Sequence, residues 1–218
     1  EMSASLVGSE MCIRDRLTEA CLRADSGPGV RRPVHRHEGK SGQLYSGDDE
    51  EVKYTPHEYQ AYCIQRVVED PAVGLFLRPG LGKTVITLSA VNILKYFRWQ
   101  VQRVLVVAPK KVAEATWSKE AAKWDHLQHL RVSTVLGSAS RRIRAVNTPA
   151  DVYVINRENV EWLVDYYKQE WPFDMVVLDE STSFKNSQSK RFKAMKRIRR
   201  FIQKMVLLTG TPVSYTHL

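Results

Sequence analysis

From Tyr54 onward the chain alternates short, mostly apolar runs with stretches of helical spacing, and this alternation most limits what it can fold into. The runs are residues 73–77, 103–108, 131–136, 152–155, 175–178 and 205–208. A strand that is apolar on both faces must be covered on both. Parallel neighbours need long crossovers, usually helices. One intervening stretch carries Ile86, Ala90, Ile93 and Phe97; another carries Val160, Leu163, Val164 and Tyr167. Both fit the three-to-four spacing of a helix face. With no internal repeat visible, the pattern predicts a single α/β domain over residues 53–212, with a mainly parallel sheet and helices on both faces.

Residues 1–52 carry no such periodicity. Ser26-Gly27-Pro28-Gly29 interrupts any element begun before it, and residues 39–47 are rich in Gly and Ser. A poorly ordered N-terminal segment is expected there. Its start, SASLVGSEMCIRDR (3–16), resembles translated sequencing-adaptor sequence, as does the end, VSYTHL (213–218). Both ends are therefore set aside as artefact in reasoning about the fold.

The chain has 218 residues, 43% hydrophobic and 26% charged, which excludes a wholly disordered or fibrous protein. Its apolar runs fall far short of the roughly 20 residues that span a bilayer, so no membrane partner is expected. Cys12, Cys21 and Cys63 form no C-x-x-C pair and cannot all pair internally. A reduced, cytoplasmic setting follows. Residues 1–52 hold 7 Lys/Arg and 10 Asp/Glu; residues 53–218 hold 26 and 14. The net +9 thus belongs to the region with the folding pattern, and it suits either a polyanion, nucleic acid first, or a solvated basic surface.

GLGKT (80–84) follows the first apolar run and opens a helical stretch. Glycines let successive N–H groups curl toward phosphate oxygens, and the helix N-terminus adds its positive end. Gly80, Leu81, Gly82, Lys83 and Thr84 are the candidate phosphate cradle. Lys83 would reach the β- and γ-phosphates, and the Thr84 hydroxyl would ligate Mg²⁺. The full G-x-x-x-x-G-K-[ST] spacing wants Gly where Leu77 stands, and Pro79 has no N–H to give. Downstream, the run 175–178 ends in Asp179-Glu180. At the carboxyl edge of a parallel sheet this is where ligands bind. Asp179 would hold the Mg²⁺ and Glu180 would polarise the attacking water.

Four stretches, GLGKT (80–84), VVAPKKV (106–112), DEST (179–182) and LTGTP (208–212), stand in the order of the superfamily-two helicase motifs. The sequence resembles the Swi/Snf-type branch of DNA-translocating ATPases in a compact phage or bacterial form. The resemblance covers about 160 of the 218 residues, the first RecA-like lobe. It implies ATP and Mg²⁺ as cofactors and DNA, probed through its backbone, as partner. YTPHEYQAYCIQ (54–65) resembles the glutamine motif that reads adenine, with Gln60 in the matching place, which favours ATP over GTP. DESTSFKN (179–186) resembles the DEAH-x-x-x-N stretch, with Ser181 and Thr182 replacing Ala and His. Thr209, Gly210 and Thr211 fall on the coupling motif. In that family a second RecA-like lobe supplies the arginine fingers, so these residues alone are expected to be inactive or very slow as an ATP hydrolase.

By the same resemblance Lys110 and Lys111 contact the backbone of the bound strand; Asn156 and Arg157, at an equivalent strand end, are further candidates. Residues 185–204 carry 9 Lys/Arg and no acid, with Phe192, Met195, Ile198, Ile202 and Met205 at helix-like intervals. That is a packed face with a cationic remainder, either solvated or in contact with DNA. Trp117, Trp124, Trp162 and Trp171 are expected to pack in the core. His126 and His129 have ligand spacing, but no acid or cysteine cluster completes a metal site. The competing readings are a phosphotransferase with the same loop, a non-catalytic nucleic-acid-binding module with a decayed loop, and a restriction-type motor subunit.

Overall fold

The computed structural model describes residues 53–184 and 186–210. The expectations for 1–52, for Thr211 and for the tail 213–218 lie outside the described residues. Six strands appear among those described: β1 (Ala72–Phe76), β2 (Val104–Ala108), β3 (Val132–Val135), β4 (Val152–Asn156), β5 (Met175–Asp179) and β6 (Lys204–Thr209). They form one sheet in the order β1-β6-β5-β2-β4-β3, and every pairing is parallel. Each strand lies within about a residue of its apolar run, because the runs end where side chains leave the covered part of the sheet.

Among the described residues α1 (Glu58–Glu69) precedes β1, and five further α-helices link the strands: α2 (Lys83–Asn92), α3 (Lys110–Lys123), α4 (Ala139–Asn147), α5 (Val160–Tyr167) and α6 (Lys190–Ile198). Alternate strand residues face opposite layers. Val104, Val106, Met175 and Val177 pack with α1, α2 and α3. Leu105, Val107, Val176 and Leu178 pack with α4, α5 and α6. The predicted two-sided parallel sheet is therefore present. Among the described residues, no helix is long and apolar enough to cross a membrane.

Two sequence expectations shift. The helical face through Ile86, Ala90 and Ile93 does not extend to Phe97. Residues Ile93–Phe97 form a π-helix whose wider turn swings Phe97 off the buried face, leaving it 72% exposed. Lys204, the last cation of the basic stretch, is buried rather than solvated. Its Nζ donates to the carbonyls of Val68 at 2.8 Å, Asp70 at 3.0 Å and Val67 at 3.4 Å, closing the carboxyl end of α1.

Candidate nucleotide site

Because all six strands run one way, every strand's carboxyl end reaches the same edge of the sheet. The phosphate loop leaves β1, Asp179 closes β5, Thr209 closes β6 and Pro109 follows β2. β6 lies between β1 and β5. Gly210, just past β6, comes up against the loop. A Cβ there would sit 3.2 Å from Pro79 Cγ and 3.6 Å from Lys83 Nζ.

The loop turns through Gly80 and Gly82, at φ +86° and +77°. Leu81 N donates to Arg78 O at 3.3 Å. Gly82 is the N-cap of α2, so Lys83 and Thr84 are its first two residues. Lys83 Nζ donates to Leu77 O at 2.8 Å and Arg78 O at 3.2 Å. Burial lowers its pKa, while the charges of Asp179 and Glu180 oppose that shift. The lysine and both carboxylates therefore share one electrostatic environment.

Asp179 is buried at 9% exposure. Burial raises its pKa, Glu180 adds to the rise, and Lys83 pulls the other way. The Trp117 indole N–H makes no hydrogen bond of ordinary geometry, yet it approaches this carboxylate closely enough to favour its ionised form. Glu180 has φ +55°. A left-handed backbone at a non-glycine residue is strained, and such strain gathers at functional sites.

The set suits a nucleotide phosphate with Mg²⁺. A Cβ at Gly80 would meet nothing within 4 Å, so the loop's outer side is open to a ligand. The cation of Lys83 and the buried carboxylate of Asp179 supply opposite charges on one edge, as an anion and its metal require.

Gln60 lies in the first turn of α1 and is buried. Its Oε1 accepts from His57 N at 3.0 Å and Tyr54 OH at 3.4 Å, and its Nε2 donates to Leu81 O at 3.5 Å. Tyr59 OH donates to the same carbonyl at 3.3 Å. Gln60 thus touches the loop directly, and Tyr59 joins it, a contact that sequence spacing alone did not single out.

Lys110 and Lys111 are exposed at the first turn of α3, which has no acidic residue there. Two cations at the positive end of a helix are unfavourable alone and suited to an anion. Asn156 is buried instead; its Nδ2 donates to Glu158 Oε2 at 2.8 Å and its Oδ1 accepts from Asn159. Arg157 pairs with Glu158 at 3.0 Å. These two are engaged within their own loop. Thr209 is buried at the end of β6. His126 and His129 bond to Ser89 and Asn92 of α2 at 2.8 and 2.9 Å. Of the tryptophans, Trp117 and Trp171 are buried, whereas Trp124 and Trp162 are partly exposed.

A family model described as the SNF2-related domain matches residues 60–217. Protein p41 of Acyrthosiphon pisum secondary endosymbiont phage 1 is 38% identical over 165 residues, 73% of this chain and 36% of p41. The SWI/SNF-related matrix-associated actin-dependent regulator of chromatin subfamily A-like protein 1 of Bos taurus is 30% identical over 136 residues, 61% of this chain and 13% of that protein. The Sulfolobus solfataricus SWI2/SNF2 ATPase core in complex with dsDNA shares the fold, with a TM-score of 0.62 at 23% identity over 79% of this chain and 36% of that one. The chain spans about a third or less of the length of each.

Proposed function

Because the chain belongs to the SNF2-related domain family, we propose that it is the ATP-binding lobe of a DNA-dependent ATPase that moves along duplex DNA. The observation that carries this reading is the convergence of Lys83, Asp179 and Glu180 at one sheet edge, with Lys83 feeling both carboxylates.

In this reading Lys83 releases the carbonyls of Leu77 and Arg78 and turns onto the β- and γ-phosphate oxygens. Backbone N–H groups from Gly80 to Thr84 bind the same phosphates. Thr84 and Asp179 would hold Mg²⁺, which when bound neutralises charge on the phosphate oxygens. Glu180 orients the attacking water and accepts its proton. Gln60, already against the loop, contributes to recognition of adenine. Thr209, Gly210 and Thr211 relay the state of the phosphates to the rest of the protein; a Cβ added at Gly210 would lie 3.2 Å from Pro79 Cγ and 3.6 Å from Lys83 Nζ, so this backbone passes close to the loop. Lys110 and Lys111 bind the DNA backbone without reading sequence. Asn156 and Arg157 join only if they leave Glu158. Duplex DNA as the partner is supported by the dsDNA held by the Sulfolobus relative. The arginine that stabilises the transition state comes from a second lobe.

Lys83→Ala tests the reading. Charge-assisted hydrogen bonds contribute about 1.5–3 kcal/mol each, so the dissociation constant for Mg·ATP should rise roughly 10- to 100-fold with the circular dichroism unchanged. Equal affinity in a folded mutant would remove the phosphate loop from the function.

A further inference from the structure

Trp117 is 1% exposed, and its indole N–H has no hydrogen-bond partner. Buried donors left unpaired are rare in folded proteins. The ring packs on the sheet face that carries Val106, Ala108 and Val177. Asp179 follows Val177 by two residues on β5, so it points to the same face. Val107 of β2 is paired with Leu178 of β5, which sets the following Ala108 and Asp179 side by side where both strands end. From Ala108 the chain passes through Pro109 into α3. Side chains on a helix lean toward its N-terminus, and the N-terminus of α3 is at this edge. The unpaired N–H and the buried carboxylate therefore lie on one face, at the same end of the sheet.

We propose that Trp117 is a positioning residue for the Asp179 carboxylate, its N–H holding the oxygen turned away from the metal and tying that orientation to α3. The inference rests on the nucleotide site proposed above. It gives α3 a second task. The helix whose first turn carries Lys110 and Lys111 also carries, two turns later, the side chain that orients the metal ligand. Displacement of α3 by a polyanion reaches Asp179 through a single ring.

Trp117→Phe keeps an aromatic ring in the core and removes the donor, together with a volume loss that the control below reproduces. The measurement is binding of a fluorescent ATP analogue to the chain during a Mg²⁺ titration, with affinity in EDTA as the reference. Loss of a hydrogen bond behind a metal ligand lowers metal affinity by about 10- to 100-fold. The half-saturating Mg²⁺ concentration should therefore rise about tenfold or more, with affinity in EDTA unchanged. Trp171→Phe is the control. It removes the other buried, unpaired indole N–H, which packs on the opposite face of the sheet, and should leave the Mg²⁺ midpoint where it is. An unchanged midpoint in Trp117→Phe overturns the proposal. Should Trp117→Phe fail to fold, benzothienylalanine at position 117, with sulfur in place of N–H, carries the same titration and the same two outcomes. A wild-type chain that binds no nucleotide at any Mg²⁺ concentration overturns the nucleotide reading itself, and the inference with it.

Discussion

Two glycines of the phosphate loop share a left-handed backbone and differ in their surroundings. At Gly82 an added Cβ would lie 2.7 Å from Gln60 Nε2; at Gly80 it would meet nothing within 4 Å. Gly80→Ala therefore costs only the conformational term, about 1–2 kcal/mol. Gly82→Ala adds a clash that has to move either Gln60 or the loop, so it should cost more, roughly 2–4 kcal/mol by the sum of strain and overpacking. Urea denaturation of the two mutants checks this. Equal losses would mean that Gln60 does not brace the loop. The GLGKT motif made both glycines legible in the sequence, and their φ of +86° and +77° is the backbone conformation that favours glycine. That Gln60 fills the space beside Gly82 was not legible, since 22 residues separate them and only the fold sets α1 against the loop. Glu180 is similar: its acid was readable at the end of an apolar run, its φ of +55° was not.

Among the elements, the contact between α2 and the short 3₁₀ turn Asp125–Leu127 is held by a polar network. His126 Nε2 meets Ser89 Oγ at 2.8 Å, its carbonyl accepts from Asn92 Nδ2 at 3.2 Å, and Tyr54 stacks on its ring at 4.6 Å. Burial lowers the His126 pKa, and Asp125 only partly offsets it. The folded state thus binds this proton less readily than the unfolded chain. Stability from this site is present above the ordinary imidazole value of about 6.5 and is lost as pH falls through the lowered one. His126→Gln should flatten the acid side of the stability profile below about pH 6.5. Identical profiles, followed by thermal melting, would take His126 out of the network. The sequence offered the His126-x-x-His129 spacing, but Ser89 and Asn92 arrive from a helix dozens of residues earlier, so their partners were hidden. The basic stretch was legible for α6 by its apolar spacing, whereas the burial of Lys204 was not. Its partners are carbonyls at the end of α1, which no local pattern announces.

For the molecule as a whole, the parallel direction of the sheet was legible, and with it the gathering of all strand ends at one edge. Apolar runs on both faces permit little else. The order β1-β6-β5-β2-β4-β3 was not legible, because runs so alike in composition do not declare their neighbours. The surface charge at that edge leads to a prediction about DNA. Replacing Lys110 and Lys111 by Ala should weaken binding similarly for every sequence and flatten the salt dependence by up to roughly two units of slope, about 0.9 per lost phosphate contact. Titration of duplexes of different sequence at several salt concentrations measures this; a loss confined to particular sequences would point to base reading instead. The place of β6 has a further consequence, for the order in which the chain is made. β5, β2, β4 and β3 are neighbours and can zip together as soon as β5 has left the ribosome. Among the six described strands β1 is synthesised first, and its one neighbour there is β6, the last of the six. Until then α1, the loop after β1 and α2 wait beside an incomplete sheet, and Lys83 comes to face Asp179 only once β6 slides into the gap.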